Sequence, residues 1–361
     1  MSDEDKLQLL RSRIDALDEK IQGLISERAV QALEVARVKH AGGIEANYYR
    51  PEREAEILGK VAARNQGPLA NEEIVRLFRE IMSVCRALEQ PMKIGFLGPD
   101  GTFTQAAALK HFGRSVQTLP LMTIDQVFHD VDSGALDYGV VPVENSTEGV
   151  ISHTLDLFIN SPVKICGEIE LRIHHHLLGL AESLRGVKRI YAHQQALAQC
   201  RLWLAAHTAG AELLPVSSNA EAARLAGQEP TAAAIAGDSA ADIYQLKVLA
   251  SNIEDEVNNT TRFLVIGRQD TAPSGNDKTS LLVTTRNRPG ALSRLLEPFA
   301  RNGISLTRIE SRPARQGTWD YIFFMDVDGH VKDQTLRETL KELEAEASLV
   351  KILGSYPKAV L

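Results

Sequence analysis

Arg28 and Lys39 are the first residues along this chain whose types and spacing suggest chemistry. Apolar residues fall at Leu7, Leu10, Ile14, Leu17, Ile21 and Leu24, the heptad seam of a helix built to pack lengthwise against another. The same register carries Arg28 and then Gln31 into the seam, where a charge is costly unless something compensates it. On one helix Arg28 and Lys39 stand about 20° apart around the axis and about 16 Å apart along it, so two long basic side chains can close on one small dianion. Arg11 is about 25 Å from Arg28 and about 100° away, so it reaches that ligand only from a second copy of the helix. A composite site in an intertwined homodimer, or a higher homo-oligomer, is expected. The competing reading is a dimerisation helix whose Arg28 meets a glutamate.

A second group of polar residues collects where short strands give way to helices. Lys93–Leu97 runs into GPDGTFTQ, Tyr138–Val143 into ENSTEG, Ile190–Ala192 into HQQ, Val216 into SSNAEAA, and Ala232–Ala236 into GDSAAD. Such junctions expose unpaired backbone N–H groups and the positive helix end, which favour carboxylates. Each one alone reads as a helix cap; their recurrence predicts a polar crevice for a small anion. GPDGTF lacks the Lys-Ser/Thr of a phosphate loop and the spacing of a dinucleotide loop, which excludes nucleotide binding. His174-His175-His176 invites a metal reading, but successive strand residues point to opposite faces, and no metal is expected. The run Asn259-Thr260-Thr261-Arg262-Phe263 precedes an apolar strand, Leu264–Ile266.

Three textures must position these groups. Residues 1–91 are helical, with Gly42-Gly43 ending the first helix, Pro51 opening a second and Asn71 capping a third that runs to just before Pro91. Residues 93–267 alternate strands and helices. GRQDTAPSGNDK (267–278) reads as a polar linker, and 279–357 follows a ferredoxin-like βαββαβ order. The chain has 361 residues, 44% hydrophobic and 24% charged, with net charge −7. That balance belongs to an ordinary globular protein and argues against nucleic acid as a partner. The charged N-terminus lacks a signal-peptide layout, and no apolar run approaches the roughly 18 residues of a membrane span. Cys85, Cys166 and Cys200 are far apart and odd in number, which suits reduced thiols and a cytoplasmic location.

The runs LRSRIDALDEKIQGLISERAVQALEVARVKH, YRPEREAEIL and LFREIMSVCRALEQ resemble the all-helical chorismate mutases. The resemblance implies that Arg11, Arg28 and Lys39 hold the carboxylates and ether region of chorismate, and that Arg53 and Glu54 form the Arg-Glu pair of the second helix, with Glu54 on the ring hydroxyl. The reaction is a pericyclic rearrangement, needing a fixed conformer and stabilisation of charge on the ether oxygen. Cys85 stands where the family commonly has serine, Glu89 where it has glutamine, and Arg50 where it often has aspartate. Cys85 and Glu89 are expected on one face of the third helix. A protonated Glu89 would donate to the ether oxygen and an ionised one would repel it, so mutase activity is expected to fall as pH rises through neutrality.

FLGPDGTFTQAA, VVPVENSTEG, HQQALAQC and the Thr261-Arg262-Phe263 run resemble the prephenate dehydratases. Carried over, Thr261 is the expected catalytic residue, protonating the departing ring hydroxide. Asn145, Ser146 and Gln195 would orient the substrate, while Arg262, Thr102 and Thr104 would hold its carboxylates. Ala192 and Asn219 depart from the usual family runs. Finally, RNRPGALSRLL and IESRP resemble the ligand loops of ACT domains, implying that phenylalanine binds at Gly290, Ala291, Leu292, Glu310, Ser311, Arg312 and Pro313 between paired subunits. The expected whole is an all-helical mutase domain, a bilobal α/β dehydratase domain like that of periplasmic binding proteins, and a ferredoxin-like ACT domain. It would convert chorismate to prephenate and prephenate to phenylpyruvate in phenylalanine biosynthesis, with no cofactor and under L-phenylalanine inhibition. A sensor without catalysis is set aside by the intact Thr-Arg-Phe run and the basic helix.

Overall fold

The computed structural model describes residues 2–41, 49–313 and 321–359; Gly42 and Gly43 lie outside them. The first module is α1 (Asp3–Ala41), α2 (Pro51–Arg64) and α3 (Asn71–Ala87). Pro51 opens α2, where its missing N–H costs nothing. Leu58 and Val61 of α2 pack on Val75 and Met82 of α3. Among the described residues the α1 seam has no such cover, with exposure from 52% at Leu10 to 65% at Leu24. Two helix ends differ from expectation. Ala70 is the N-cap of α3, while the Asn71 amide oxygen accepts from Asn65 Nδ2 at 2.8 Å and so ties down the α2–α3 turn. The helix stops at Ala87, so Glu89 sits in the following turn, its N–H donating to the Arg86 carbonyl at 2.9 Å, and does not share a helix face with Cys85.

The second module has two lobes. Lobe one begins with β1 (Lys93–Leu97), β2 (Gln117–Leu121), β3 (Tyr138–Asn145), β4 (Gly149–Val150) and β5 (Lys164–Arg172), with α4 (Phe103–Phe112), α5 (Ile124–Asp132) and α6 (Ser152–Asn160). Lobe two holds β6 (His176–Gly179), β7 (Arg189–His193), β8 (Glu212–Val216), β9 (Ala232–Ala236) and β10 (Lys247–Ala250), with α7 (Gln194–Gln199), α8 (Arg201–His207), α9 (Asn219–Ala226) and α10 (Asp238–Tyr244). The chain then returns to lobe one as β11 (Thr260–Gly267), which lies antiparallel between β3 and β5 in the order β2-β1-β3-β11-β5. Lobe two is ordered β10-β6-β9-β7-β8. Its central strand, Ala-Ala-Ala-Ile-Ala, is buried throughout, and its small side chains let helices approach closely. The lobes touch where the Phe103 ring leaves no room for a Cβ on Gly237 and Tyr244 donates to the Asp100 carbonyl at 2.9 Å.

The third module is β12 (Asp277–Thr285), α11 (Ala291–Arg301), β13 (Leu306–Pro313), β14 (Tyr321–Asp328), α12 (Gln334–Glu346) and β15 (Leu349–Pro357), with sheet order β13-β14-β12-β15. One sheet face carries the helices over Leu281, Phe323 and Met325. The other contributes Leu282, Ile322, Phe324, Leu353 and Tyr356 to the core of lobe one, against Leu155, Phe158 and Ile165. The linker is docked too: Gln269 donates to the Tyr138 hydroxyl and the Tyr49 carbonyl.

Candidate active sites

The five strand–helix junctions converge. Between the lobes lies a crevice of about 810 Å³ whose lining includes Thr102, Phe103, Thr104, Asn145, Glu148, His175, His193, Gln195, Gln199, Ser218, Asn219, Gly237, Asn259 and Thr261. None of the residues lining it is an arginine or lysine. Positive potential comes instead from helix N-termini, among them α4, capped by the Thr102 hydroxyl, and α9, capped by Ser218.

Thr261 is buried within β11 rather than before it. Its Oγ1 accepts from Asn145 Nδ2 at 2.7 Å. Asn145 cannot turn away, because its Oδ1 accepts the Thr147 and Glu148 N–H groups at 2.9 and 3.0 Å, and its Nδ2 also donates to Asn259 Oδ1 at 2.8 Å. The Thr261 oxygen thus receives a proton donor from the side, leaving its own O–H directed elsewhere. Asn259 in turn donates to Gln199 Oε1 at 3.2 Å, and His175 Nε2 meets the same oxygen at 2.8 Å. Burial pushes the His175 pKa down and the hydrogen bond to Gln199 opposes it. A neutral ring donating through Nε2 leaves the buried Nδ1 as an acceptor.

The remaining residues divide. Thr104 and Gln195 line the crevice. Ser146 does not; its Oγ accepts the Thr260 N–H at 2.9 Å and secures the start of β11. Arg262 is a correction. Strand alternation turns it away from Thr261, onto the back of the sheet, where it pairs with Glu168 at 2.9 Å and Asp326 at 2.7 Å. It does not reach the crevice. Ala192 is buried in β7, and Asn219 Oδ1 accepts the His193 N–H at 2.9 Å. His175, Gln199 and Asn259 were missed: the histidine run drew attention only as a metal motif. Among the described residues no group of three or more metal-ligating side chains occurs.

In the helical module Arg28 and Lys39 are half-buried on the second half of α1 and Arg11 is exposed on the first. Arg50 and Arg53 are exposed and paired with Glu52 and Glu56. Cys85 is buried. Glu54 is buried against Arg86 at 2.7 Å, whose guanidinium lies 5.0 Å from the Tyr49 ring centroid and donates to the Phe112 carbonyl. The cavity beside Glu54 is lined by Tyr49, Arg79, His111 and Glu168, and by neither Arg28 nor Lys39. That cavity does not bring Arg28 and Lys39 to Glu54.

In the third module Gly290, Ala291, Leu292 and Ser311 line a cavity of about 350 Å³ with Arg288, Tyr321 and Phe323. Gly290 has φ +75, which a side chain rarely adopts. Alternation along β13 puts Pro313 on the face of Ser311, and Glu310 and Arg312 on the other. Arg312 pairs with Asp156 of lobe one at 3.0 Å.

A basic helical module, a two-lobed polar crevice with a buried threonine hydroxyl, and a ferredoxin-like module with its own cavity make up a three-module chain. The family models described as chorismate mutase type II, prephenate dehydratase and ACT domain match residues 10–90, 94–271 and 279–345. The chain is 57% identical to the bifunctional chorismate mutase/prephenate dehydratase of Stutzerimonas stutzeri, over 100% of both chains. Two solved structures resemble it over about three quarters of its length. GqqA, described as a novel type of quorum quenching acylase, is 31% identical, with TM-score 0.69 over 74% of this chain and 98% of that one. Arthrobacter aurescens prephenate dehydratase in complex with L-Phe is 36% identical, with TM-score 0.67 over 73% and 90%. The chain belongs to the bifunctional chorismate mutase/prephenate dehydratase family; it is an isomerase and a lyase in one polypeptide. Among the described residues no helix is long and apolar enough to cross a membrane.

Proposed function

We propose that this enzyme carries chorismate through prephenate to phenylpyruvate in cytoplasmic phenylalanine biosynthesis, and that L-phenylalanine inhibits it through the third module. The observation that carries the dehydratase reading is the hydrogen bond from Asn145 to Thr261. Loss of carbon dioxide delivers an electron pair to the ring, and the hydroxide on the opposite carbon leaves as aromaticity forms. Thr261 donates a hydrogen bond to that departing hydroxide and stabilises the charge it carries away; the hydroxide becomes water by taking a proton from solvent. With no cation lining the crevice, the carboxylates of prephenate meet the N-terminal N–H groups of α4 and α9, and Gln195 and Thr104 orient the ring.

For the mutase, the uncovered apolar seam of α1 supports an intertwined dimer that brings Arg11 of one subunit to Arg28 and Lys39 of the other. Arg50, Arg53, Glu54, Cys85 and Glu89 complete the set, with Glu89 on the ether oxygen. For regulation, the Gly290–Leu292 turn and Ser311 support phenylalanine binding between paired third modules. Supplying chorismate, following its loss and the appearance of phenylpyruvate, and repeating with L-phenylalanine tests all three parts. Prephenate turnover without chorismate loss would remove the mutase reading. Rates unchanged by L-phenylalanine would remove the regulatory one.

A further inference from the structure

The register of β11 against β3 sets two residue pairs back to back. Thr261 lies opposite Asn145, and Arg262 lies opposite Glu144. Alternation turns the first pair into the crevice and the second onto the third module. There Arg262 contacts Asp326 on β14 at 2.7 Å and Tyr356 on β15 at 3.1 Å. It also shares Glu168 with Lys278 of β12, the lysine 2.7 Å away. Glu144 takes Arg308 of β13 at 3.0 Å. β3 and β11, which present Asn145 and Thr261 to the crevice, are thus each held from behind by an ion pair to the third module.

Backbone pairing is regular here on the β5 side but not on the side that carries Asn145, where the β11–β3 register slips between Arg262 and Phe263. Such irregularities re-aim side chains next to active sites, so the side-chain anchors add to the β5 pairing and the Ser146 contact in setting how Thr261 faces Asn145. The Arg262, Glu168 and Asp326 side chains are only 11%, 2% and 8% exposed, an environment in which charge pairs are weakly screened. Arg308 shares β13 with Ser311, which lines the proposed phenylalanine pocket.

We infer that Arg262 and Glu144 are positioning residues for the dehydration, through which the third module sets the geometry of Thr261 and Asn145. A displacement of about 1 Å at a reacting group costs up to about a hundredfold in rate. The test uses the full-length chain carrying Asp326→Asn or Arg308→Glu, neither of which touches the crevice. Turnover of prephenate is expected to fall about tenfold or more with KM within about twofold. Adding Glu144→Arg to Arg308→Glu reverses the pair and is expected to recover most of the lost kcat. Folded variants with wild-type kcat, a loss confined to KM, or no recovery on reversal would overturn the inference. Should Asp326→Asn not fold, the reversal decides alone, since it restores an opposite-charge pair at side chains that are 14% (Arg308) and 37% (Glu144) exposed.

A second arm rests on the phenylalanine reading. Where the wild type is inhibited, the Arg308→Glu enzyme is expected to bind L-phenylalanine by calorimetry yet lose about fivefold or more of the inhibition; inhibition kept in full counts against the inference. A wild type indifferent to L-phenylalanine removes that reading only, and the kcat arm still decides.

Discussion

Asn145 donates to the Thr261 hydroxyl oxygen at 2.7 Å while its own carbonyl oxygen is held by two backbone N–H groups. The threonine therefore acts as an acceptor within the protein and as a donor toward the crevice. Thr261→Ser keeps that arrangement and is expected to retain most dehydratase activity. Thr261→Val keeps the shape, removes the proton, and should cost about 10²- to 10⁴-fold in kcat with the mutase unaffected. Steady-state assays of each half-reaction on one preparation measure both.

His175 and Gln199 stand behind this pair. Gln199→Leu leaves the Asn259 amide and the His175 N–H without their shared acceptor. Dehydratase kcat is expected to fall about tenfold, and stability by about 1–3 kcal/mol for buried donors left unmade. Urea titration at neutral pH reads the second quantity.

Tyr49 and His111 meet at 2.6 Å where the helical module joins lobe one. Burial, helped by nearby Arg79 and Arg86, pushes the His111 pKa down to about 3. An unfolded histidine titrates near 6.5, so below that pH the unfolded chain takes up a proton that the folded one refuses. The penalty is absent above about pH 6.5, grows as pH falls, and reaches about 2 kcal/mol at pH 5. The melting temperature of the wild type should thus drop more steeply between pH 7 and 5 than that of His111→Gln. Parallel slopes in differential scanning calorimetry would contradict this.

Much of this was legible in the sequence, and the failures share a cause. The strand–helix junctions, the seam of α1 and the order of the third module follow from periodicity and turn chemistry, which are local. Arg262 was misassigned because the Thr-Arg-Phe run was placed before its strand. Inside β11 the two-residue period sends Thr261 and Arg262 to opposite faces. That same period was used to separate the three histidines, but only His176 lies in a strand, so the position of His175 in the crevice is set by the β5–β6 connection and not by alternation. The partners of Arg262 lie 94 residues before it and 64 after it, a distance no motif spans. Asn71 looked like a cap because its type suits one, yet the turn from α2 claims its side chain.

The composite mutase site has a direct test. Arg11→Ala and Arg28→Ala chains should each lose chorismate turnover. Unfolded and refolded together in equal amounts, they form mixed dimers in which one of two sites is intact, recovering about a quarter of wild-type activity. No recovery would mean that Arg11 acts within its own chain. On the same preparation, Glu89→Gln is expected to flatten the pH profile of the mutase.

Gly290 sits at φ +75 at the mouth of the third-module cavity. Gly290→Val strains the backbone by about 1–3 kcal/mol and distorts the turn. Weaker L-phenylalanine binding, by about tenfold or more in calorimetry, is expected with both catalytic rates kept.

The shared core between lobe one and the third module bears on how the proposed control by L-phenylalanine can be removed. Leu282, Ile322, Phe324, Leu353 and Tyr356 are interior residues of lobe one as much as of the third-module sheet. A stop codon after the linker would strip lobe one of this cover and bare a broad greasy face, each lost side chain worth about 1.5–3 kcal/mol. Such truncated chains should be found in inclusion bodies. Deregulated descendants of this gene are expected to carry missense changes around Gly290 or Ser311 and to keep the sheet whole.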